Sequence, residues 1–248
     1  MRAILIKDQK GPVENLYLGE APTPSPSTGE VLVKIKAFGL NRMDILQREG
    51  MYPPPAGASS ILGVEFSGHI TALSEGVSGW NIGDEVLGLA GGGAYAEYIV
   101  VPASHILHKP SHLSWVEAAS IPENLLTAFQ ALILCAELKK DGNVLVHAGA
   151  SGVGVSAIQL ARFYGARTVT ATASTREKLD WLLEIQNGAT HVANYKTEDF
   201  SAVVKSATNN KGGDVEHFDL KPILFKRLRI QGSTLRSRSI AYQTDLIT

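Results

Sequence analysis

Cysteine is almost absent: Cys135 is the only one in 248 residues. A single thiol excludes an internal disulfide and any zinc site built from several cysteines, and it fits a reducing compartment. An excess of either charge is missing too. Lys and Arg number 23 against 24 Asp and Glu, a net charge of −1, so no global basic field draws the chain to nucleic acid or an anionic membrane. Long hydrophobic runs are also lacking. The opening Met1-Arg-Ala-Ile-Leu-Ile-Lys7 is too short for a signal peptide or a membrane span and reads as a strand, and nothing later approaches a transmembrane helix. A cytoplasmic protein is expected. With 44% hydrophobic and 19% charged residues, the chain has material for one large domain or two modest ones.

Short apolar alternations at 3–6, 30–37, 68–73, 85–89 and 94–101 predict strands in the first part of the chain. Between them lie Pro22-Thr-Pro-Ser-Pro26, Pro53-Pro-Pro55 and Gly91-Gly-Gly93, which suit loops. Many short strands with such turns imply a compact, barrel-like β unit. From Ser114 the pattern changes: helical stretches at 115–120 and 125–138 alternate with strands at 143–147, 167–171 and 191–194. Strands separated by helices mean βαβ crossovers and a parallel sheet. The expected fold is therefore α/β, with a β-rich domain over 1–122 followed by a doubly wound domain over 123–248.

Within that second part, the apolar run Val144–Val146 leads into Gly149, Gly152 and Gly154 and then into an amphipathic helix expected to begin near Val153. Strand, glycine turn and helix in this order form a dinucleotide-binding pattern. Glycine leaves no Cβ between the backbone and a pyrophosphate, whose charge meets the N–H groups and positive end of the helix. In such sites a carboxylate about 20 positions on holds the ribose 2′-hydroxyl of NAD. Here the second strand ends Thr170-Ala-Thr-Ala-Ser174, followed by Thr175-Arg-Glu-Lys178, with no carboxylate at its tip. Ser174, Arg176 and Lys178 favour a 2′-phosphate and hence NADPH.

Other groupings have plainer readings. His105, His108 and His112 are interrupted by Pro110 and lack an interleaved carboxylate, so no metal is expected there. Asp44 and Glu65 read as carboxylates paired or hydrogen-bonded within the first domain. Cys135, beside Leu132, Ile133 and Leu134, reads as core and not as a nucleophile. The basic run 221–238 leaves contact with RNA open.

The β-rich part resembles a known family. Asn41-Arg-Met-Asp44, Gln47-Arg-Glu-Gly-Met-Tyr-Pro-Pro-Pro55, Leu62-Gly-Val-Glu-Phe-Ser-Gly68 and Gly91-Gly-Gly-Ala-Tyr-Ala-Glu-Tyr98 carry the resemblance, as do Leu126-Thr-Ala-Phe-Gln130 and His147-Ala-Gly-Ala-Ser-Gly-Val-Gly154. They are similar to the zinc-free quinone oxidoreductases of the zeta-crystallin type, in the medium-chain dehydrogenase/reductase superfamily. The resemblance implies a GroES-like barrel followed by a Rossmann domain. It implies metal-free hydride transfer from NADPH to a quinone, with Asn41 standing where zinc-dependent members carry a cysteine and Val64 where they carry a histidine. It places Asn41, Tyr52 and Thr127 beside the substrate and nicotinamide. Gly149, Ser151, Gly152, Val153 and Gly154 then form the phosphate turn, and Lys178 and Tyr195 hold the 2′-phosphate. Reduction of an enone or enoyl double bond is the alternative on the same scaffold, and a non-catalytic nucleotide- or RNA-binding protein is the alternative of another class.

The resemblance breaks after Gly212-Gly-Asp-Val215, where the chain passes through Glu216-His-Phe-Asp-Leu-Lys-Pro222 to a piece resembling the sixth Rossmann strand. An internal gap of about 40 residues and a C-terminus about 80 residues short are expected for a two-domain member. An incomplete Rossmann sheet, weakly stable and impaired in catalysis, would follow. Members of the family often pair through the strand that corresponds to 229–234, which leaves a homodimer open for this chain.

Overall fold

The first domain is built on a five-stranded antiparallel sheet and the second on a parallel one. The computed structural model describes residues 1–209 and 239–247. The seam near Val215, the strand at 229–234 with its dimer, and the basic run 221–238 lie outside the described residues.

Contacts divide the chain into two compact units. One is 1–126 together with the C-terminal helix; the other begins at Thr127. In the first, strands β3 (Glu30–Phe38), β4 (Glu65–Leu73), β5 (Glu85–Leu89), β6 (Tyr98–Pro102) and β7 (Ile106–His108) form the sheet, in the order β6-β3-β4-β5-β7. Alternation decides which face is buried: Val31 and Val33 of β3 are fully enclosed while Lys34 and Lys36 point outward. Val31, Val33, Phe66, Ile70, Val86, Ile99, Val101 and Ile106 fill the core. Irregularities in the β3–β4 register between Leu32 and Val33 and between Ile35 and Ala37 bend the sheet. A ribbon of β1 (Arg2–Ile6) and β2 (Leu16–Glu20) joins it through the Ala3–Ala96 bridge.

The strand expected over 94–101 is shorter. Pairing with β3 begins only at Tyr98, because residues before it bridge to the ribbon, with Ile4 N–H donating to the Tyr95 carbonyl. Three short elements went unforeseen: β2, β7 and helix α1 (Arg42–Arg48). Helices α2 (Trp115–Ala119) and α3 (Pro122–Phe129) follow β7. The helix expected over 125–138 starts earlier and changes pitch, α3 passing into a π-helical turn over Gln130–Cys135. Cys135 is half-buried at the end of that turn, not enclosed in the core.

In the second unit β8 (Asn143–Val146), β9 (Thr168–Ala173) and β10 (His191–Asn194) pair in parallel in the order β10-β9-β8. Helices α4 (Gly152–Phe163) and α5 (Arg176–Glu184) make the crossovers, and α6 (Phe200–Ala207) follows β10. Every residue of β9 is buried, as expected of the middle strand of a parallel sheet. Two of its threonines have partners on or just after β8: Thr168 Oγ1 donates to Asn143 Oδ1 at 2.8 Å, and Thr172 Oγ1 lies 3.2 Å from His147 Nδ1. Ala157, Ile158 and Ala161 turn one face of α4 onto Val146, Val169 and Ala171. The last helix, α7 (Ile240–Ile247), packs on the first unit, where His105 Nε2 donates to the Ile240 carbonyl at 3.4 Å and Thr244 Oγ1 to Ser104 Oγ at 2.9 Å.

Candidate functional site

At the C-terminal end of β8 the chain makes the turn that the glycines anticipate. Ala148 takes a left-handed conformation, φ 52°, that a side chain disfavours. The turn is closed by Gly149 N–H to the Thr172 carbonyl and by Ser151 N–H to the Ala148 carbonyl. Helix α4 starts at Gly152, one residue before the expected Val153, because Ser151 caps it: Ser151 Oγ accepts from Gly154 N–H at 3.1 Å. That leaves the N–H groups of Gly152 and Val153 at the start of the helix, where no intrahelical carbonyl serves them. Two glycines are required sterically. A Cβ on Gly154 would lie 2.7 Å from the Gly149 carbonyl oxygen, and one on Gly149 would lie 2.9 Å from Ala171 Cβ. The turn therefore fits the pyrophosphate of a dinucleotide.

The tips of β9 and β10 lie side by side, Asn194 opposite Ala173, and Tyr195 N–H donates to the Ala173 carbonyl. Ser174 and Thr175 leave β9, and Thr175 caps α5 by accepting from Lys178 N–H. Lys178 and half-exposed Tyr195 thus flank the end of β9. Arg176 is turned along its own helix, its guanidinium 2.6 Å from Asp180, and this partner together with Glu198 raises its pKa. Glu198 also closes the turn after β10 by accepting from Asn194 N–H. Sequence reading named neither carboxylate; Asp180 is legible as an i,i+4 partner of Arg176, whereas Glu198 gives no local signal.

In the first unit, Asn41 stands at the head of α1 inside a polar network. Its side-chain Nδ2 donates to Glu65 Oε1 at 2.8 Å and its backbone N–H to Asp44 Oδ2 at 2.8 Å. Tyr95 O–H donates to the same Asp44 oxygen at 2.9 Å, and its ring stacks on Phe38. The second oxygen of Glu65 accepts from Glu123 N–H, in the first turn of α3, at 2.8 Å. Asp44 and Glu65 are therefore hydrogen-bonded within the first domain, joined through Asn41. Burial pushes the Glu65 pKa up, the hydrogen bonds from Glu123 and Asn41 oppose it, and the Asp44 charge adds to the rise. The Tyr95 pKa is also raised, by burial and then by Asp44. Tyr52 is half-buried just after α1, its N–H donating to the Leu46 carbonyl. Thr127 lies half-buried on α3 between Leu126 and Ala128, the latter a core residue of the second unit.

Residues 27–111 match the alcohol dehydrogenase GroES-like domain and residues 152–216 the zinc-binding dehydrogenase domain. The chloroplastic quinone-oxidoreductase QR1 of Triphysaria versicolor is 35% identical over 227 residues, which is 88% of this chain and 68% of that protein. The chain belongs to the medium-chain dehydrogenase/reductase superfamily. Its fold is accordingly a GroES-like domain followed by a Rossmann-like domain.

Other members of the superfamily place it further. The synaptic vesicle membrane protein VAT-1 homolog of Danio rerio is 37% identical over 194 residues, covering 77% of this chain and 39% of that protein. Escherichia coli quinone oxidoreductase complexed with NADPH superposes with a TM-score of 0.74 at 32% identity, covering 85% of this chain and 63% of that one. CurK enoyl reductase gives a TM-score of 0.77 at 32% identity, covering 85% and 64%. The chain spans 39% to 49% of the length of the VAT-1 homologues it matches.

The name of the second domain raises zinc, which can be tested only on the described residues. Among the described residues no three His, Cys, Asp or Glu side chains gather to hold a metal ion. Asn41 gives its amide to Glu65, and Val64 beside it is a buried aliphatic. His105 is enclosed against α7, and His108 packs on the Trp80 ring. No helix among the described residues is long and apolar enough to cross a membrane.

Proposed function

We propose that this chain is a cytoplasmic oxidoreductase that transfers a hydride from NADPH to a quinone without a metal. The observation that carries the reading is the glycine turn beside a carboxylate-free β9 tip, flanked by Lys178 and Tyr195. The N–H groups of Gly152 and Val153, with Ser151, hold the pyrophosphate against the start of α4. Lys178, Tyr195 and Ser174 receive the 2′-phosphate. Arg176 joins them once it leaves Asp180, an exposed i,i+4 pair that water and salt screen. NADPH supplies the hydride. The protein's part is to hold donor and acceptor close in a site with little water. Asn41 and Tyr52 line the acceptor side, Thr127 lies beside the nicotinamide, and Tyr52 O–H donates a hydrogen bond to the oxygen that gains charge as the quinone is reduced.

Similarity to CurK enoyl reductase over the same share of the chain favours a second reading, reduction of an activated carbon–carbon double bond. Neither chemistry asks more of the nucleotide turn, so the acceptor side decides between them. The test pairs an NADPH titration with stopped-flow NADPH oxidation in the presence of 1,2-quinones, 1,4-quinones and enones. Turnover with quinones supports the proposal. Turnover with enones alone replaces it with the second reading. Binding without turnover makes the chain a nucleotide-binding protein of another class.

A further inference from the structure

We infer that Glu65 is a positioning residue: its two carboxylate oxygens hold the Asn41 amide and the first turn of α3 at once. The inference rests on the proposed roles of Asn41 and Thr127 beside the reacting groups, since α3 is the helix that carries Thr127.

The side chain is 1% exposed on β4, and both its hydrogen bonds come from N–H donors, one on each oxygen. Among the described residues no Lys or Arg pairs with it. The negative charge is instead carried by the two N–H groups and by the positive end of α3. The sequence supports this use of the helix. Pro122 opens α3 and has no N–H, so Glu123 offers the first donor. Room for the carboxylate comes from Gly39, where a Cβ would fall 2.5 Å from Glu65 Cδ and 2.6 Å from Cγ. A neutral carboxyl holds the arrangement far less firmly. Once protonated, the oxygen that carries the hydrogen is a much poorer acceptor, so the hold on either Asn41 or α3 is loosened. The ionisable groups that face Glu65 are Asp44 on α1 and Tyr95 before β6, both anionic when ionised, so they oppose its charge and do not replace its donors.

The test follows the two donors directly. In 15N-resolved NMR of the whole chain, the Asn41 side-chain amide and the Glu123 backbone amide should titrate together, with one midpoint above the ordinary carboxylate range. In Glu65→Gln neither should move at that midpoint. The same variant, and Gly39→Ala, which displaces the carboxylate without changing its chemistry, should slow single-turnover hydride transfer about tenfold. The NADPH dissociation constant should stay within about twofold, because the nucleotide turn is untouched. Separate midpoints for the two amides, or titration that survives Glu65→Gln, overturn the inference, as does an unchanged transfer rate in both variants of an active enzyme. If the wild-type chain oxidises no NADPH, the functional reading fails, and the NMR titration of the wild type still decides whether Glu65 holds both groups. That arm also stands if the variants fail to fold.

Discussion

Replacing Gly154 by Ala separates the nucleotide turn from the packing beneath it. The added Cβ would lie 2.7 Å from the Gly149 carbonyl oxygen and 2.8 Å from its carbon, where ordinary contact begins at 3.4 Å. The obstacles are backbone atoms, the nearest being the Ala148 carbonyl oxygen, so the turn must open by more than 3.4 − 2.7 = 0.7 Å. A hydrogen bond of about 2.9 Å stretched by that much is no longer one. If two N–H bonds to the pyrophosphate are lost, each charge-assisted and contributing about 1.5 kcal/mol, NADPH binding weakens by about 3 kcal/mol, on the order of 100-fold. Stability should fall less, because overpacking costs about 1–3 kcal/mol while Ala in place of helical Gly returns about 1 kcal/mol. Gly149→Ala is the control. Its Cβ meets the side chains of Ala171, Leu182 and Ile158 at 2.9, 3.1 and 3.3 Å, so the cost is a crowded core of about 1–3 kcal/mol with affinity largely kept. Fluorescence titration with NADPH and urea unfolding of both variants measure the two quantities. Gly154→Ala binding within about threefold of wild type would refute the assignment of this turn to the pyrophosphate.

The remaining predictions concern the cofactor's other end and the first unit. Asp180→Asn removes the carboxylate that holds Arg176, so NADPH affinity should rise about threefold with a steeper salt dependence and NADH affinity should not change; Lys178→Ala should weaken NADPH alone by about tenfold. Equal effects on both nucleotides would place the 2′-phosphate elsewhere. Burial lowers the His105 pKa below 6.5, so the unfolded chain binds more protons at that position than the folded one. Its contribution to stability is present above pH 6.5 and is lost as pH falls through 6.5 toward the lower folded value. Urea unfolding over about pH 5 to 8 should show this slope in the wild type and a smaller one in His105→Gln. Identical slopes would mean that another group titrates.

What the sequence discloses depends on how far apart the interacting residues lie. The strand over Glu85–Leu89 and the one over His191–Asn194 match their expected bounds because alternation and β-branching are local. The glycine turn was legible for the same reason: Ser151 and Gly154 act on neighbours within a few positions. Strand β2 was missed because Leu16-Tyr-Leu-Gly-Glu20 buries almost nothing and is held by its partner β1. The π-helical turn had no signature in Gln130–Cys135, since i+5 bonding such as Ala136 N–H to the Ala131 carbonyl reflects packing and not propensity. Helix α1 hid inside a stretch read as a motif, although its cap joins Asn41 to Asp44 only three positions on.

The acceptor side is the least legible part. Glu65 meets Asn41 across 24 positions and Glu123 across 58, and no periodicity links them. This asymmetry bears on why quinone and enoyl reductases both resemble the chain. The turn proposed to hold the nucleotide is local, and it need not change when the acceptor does. The groups proposed to meet the acceptor are set by distant partners: the Asn41 amide through Glu65, and the start of Thr127's helix through the same carboxylate. Asn41 is an amide, and Glu65 holds its Nδ2 most firmly when ionised, so this corner fixes an amide dipole. Either acceptor class can use such a dipole to orient a carbonyl, and the proton then comes from a hydroxyl such as that of Tyr52 or from solvent. Discrimination between quinone and enone is therefore expected in the shape of the residues around Tyr52, so exchanging the loop 51–61 should change acceptor choice while leaving NADPH affinity in place.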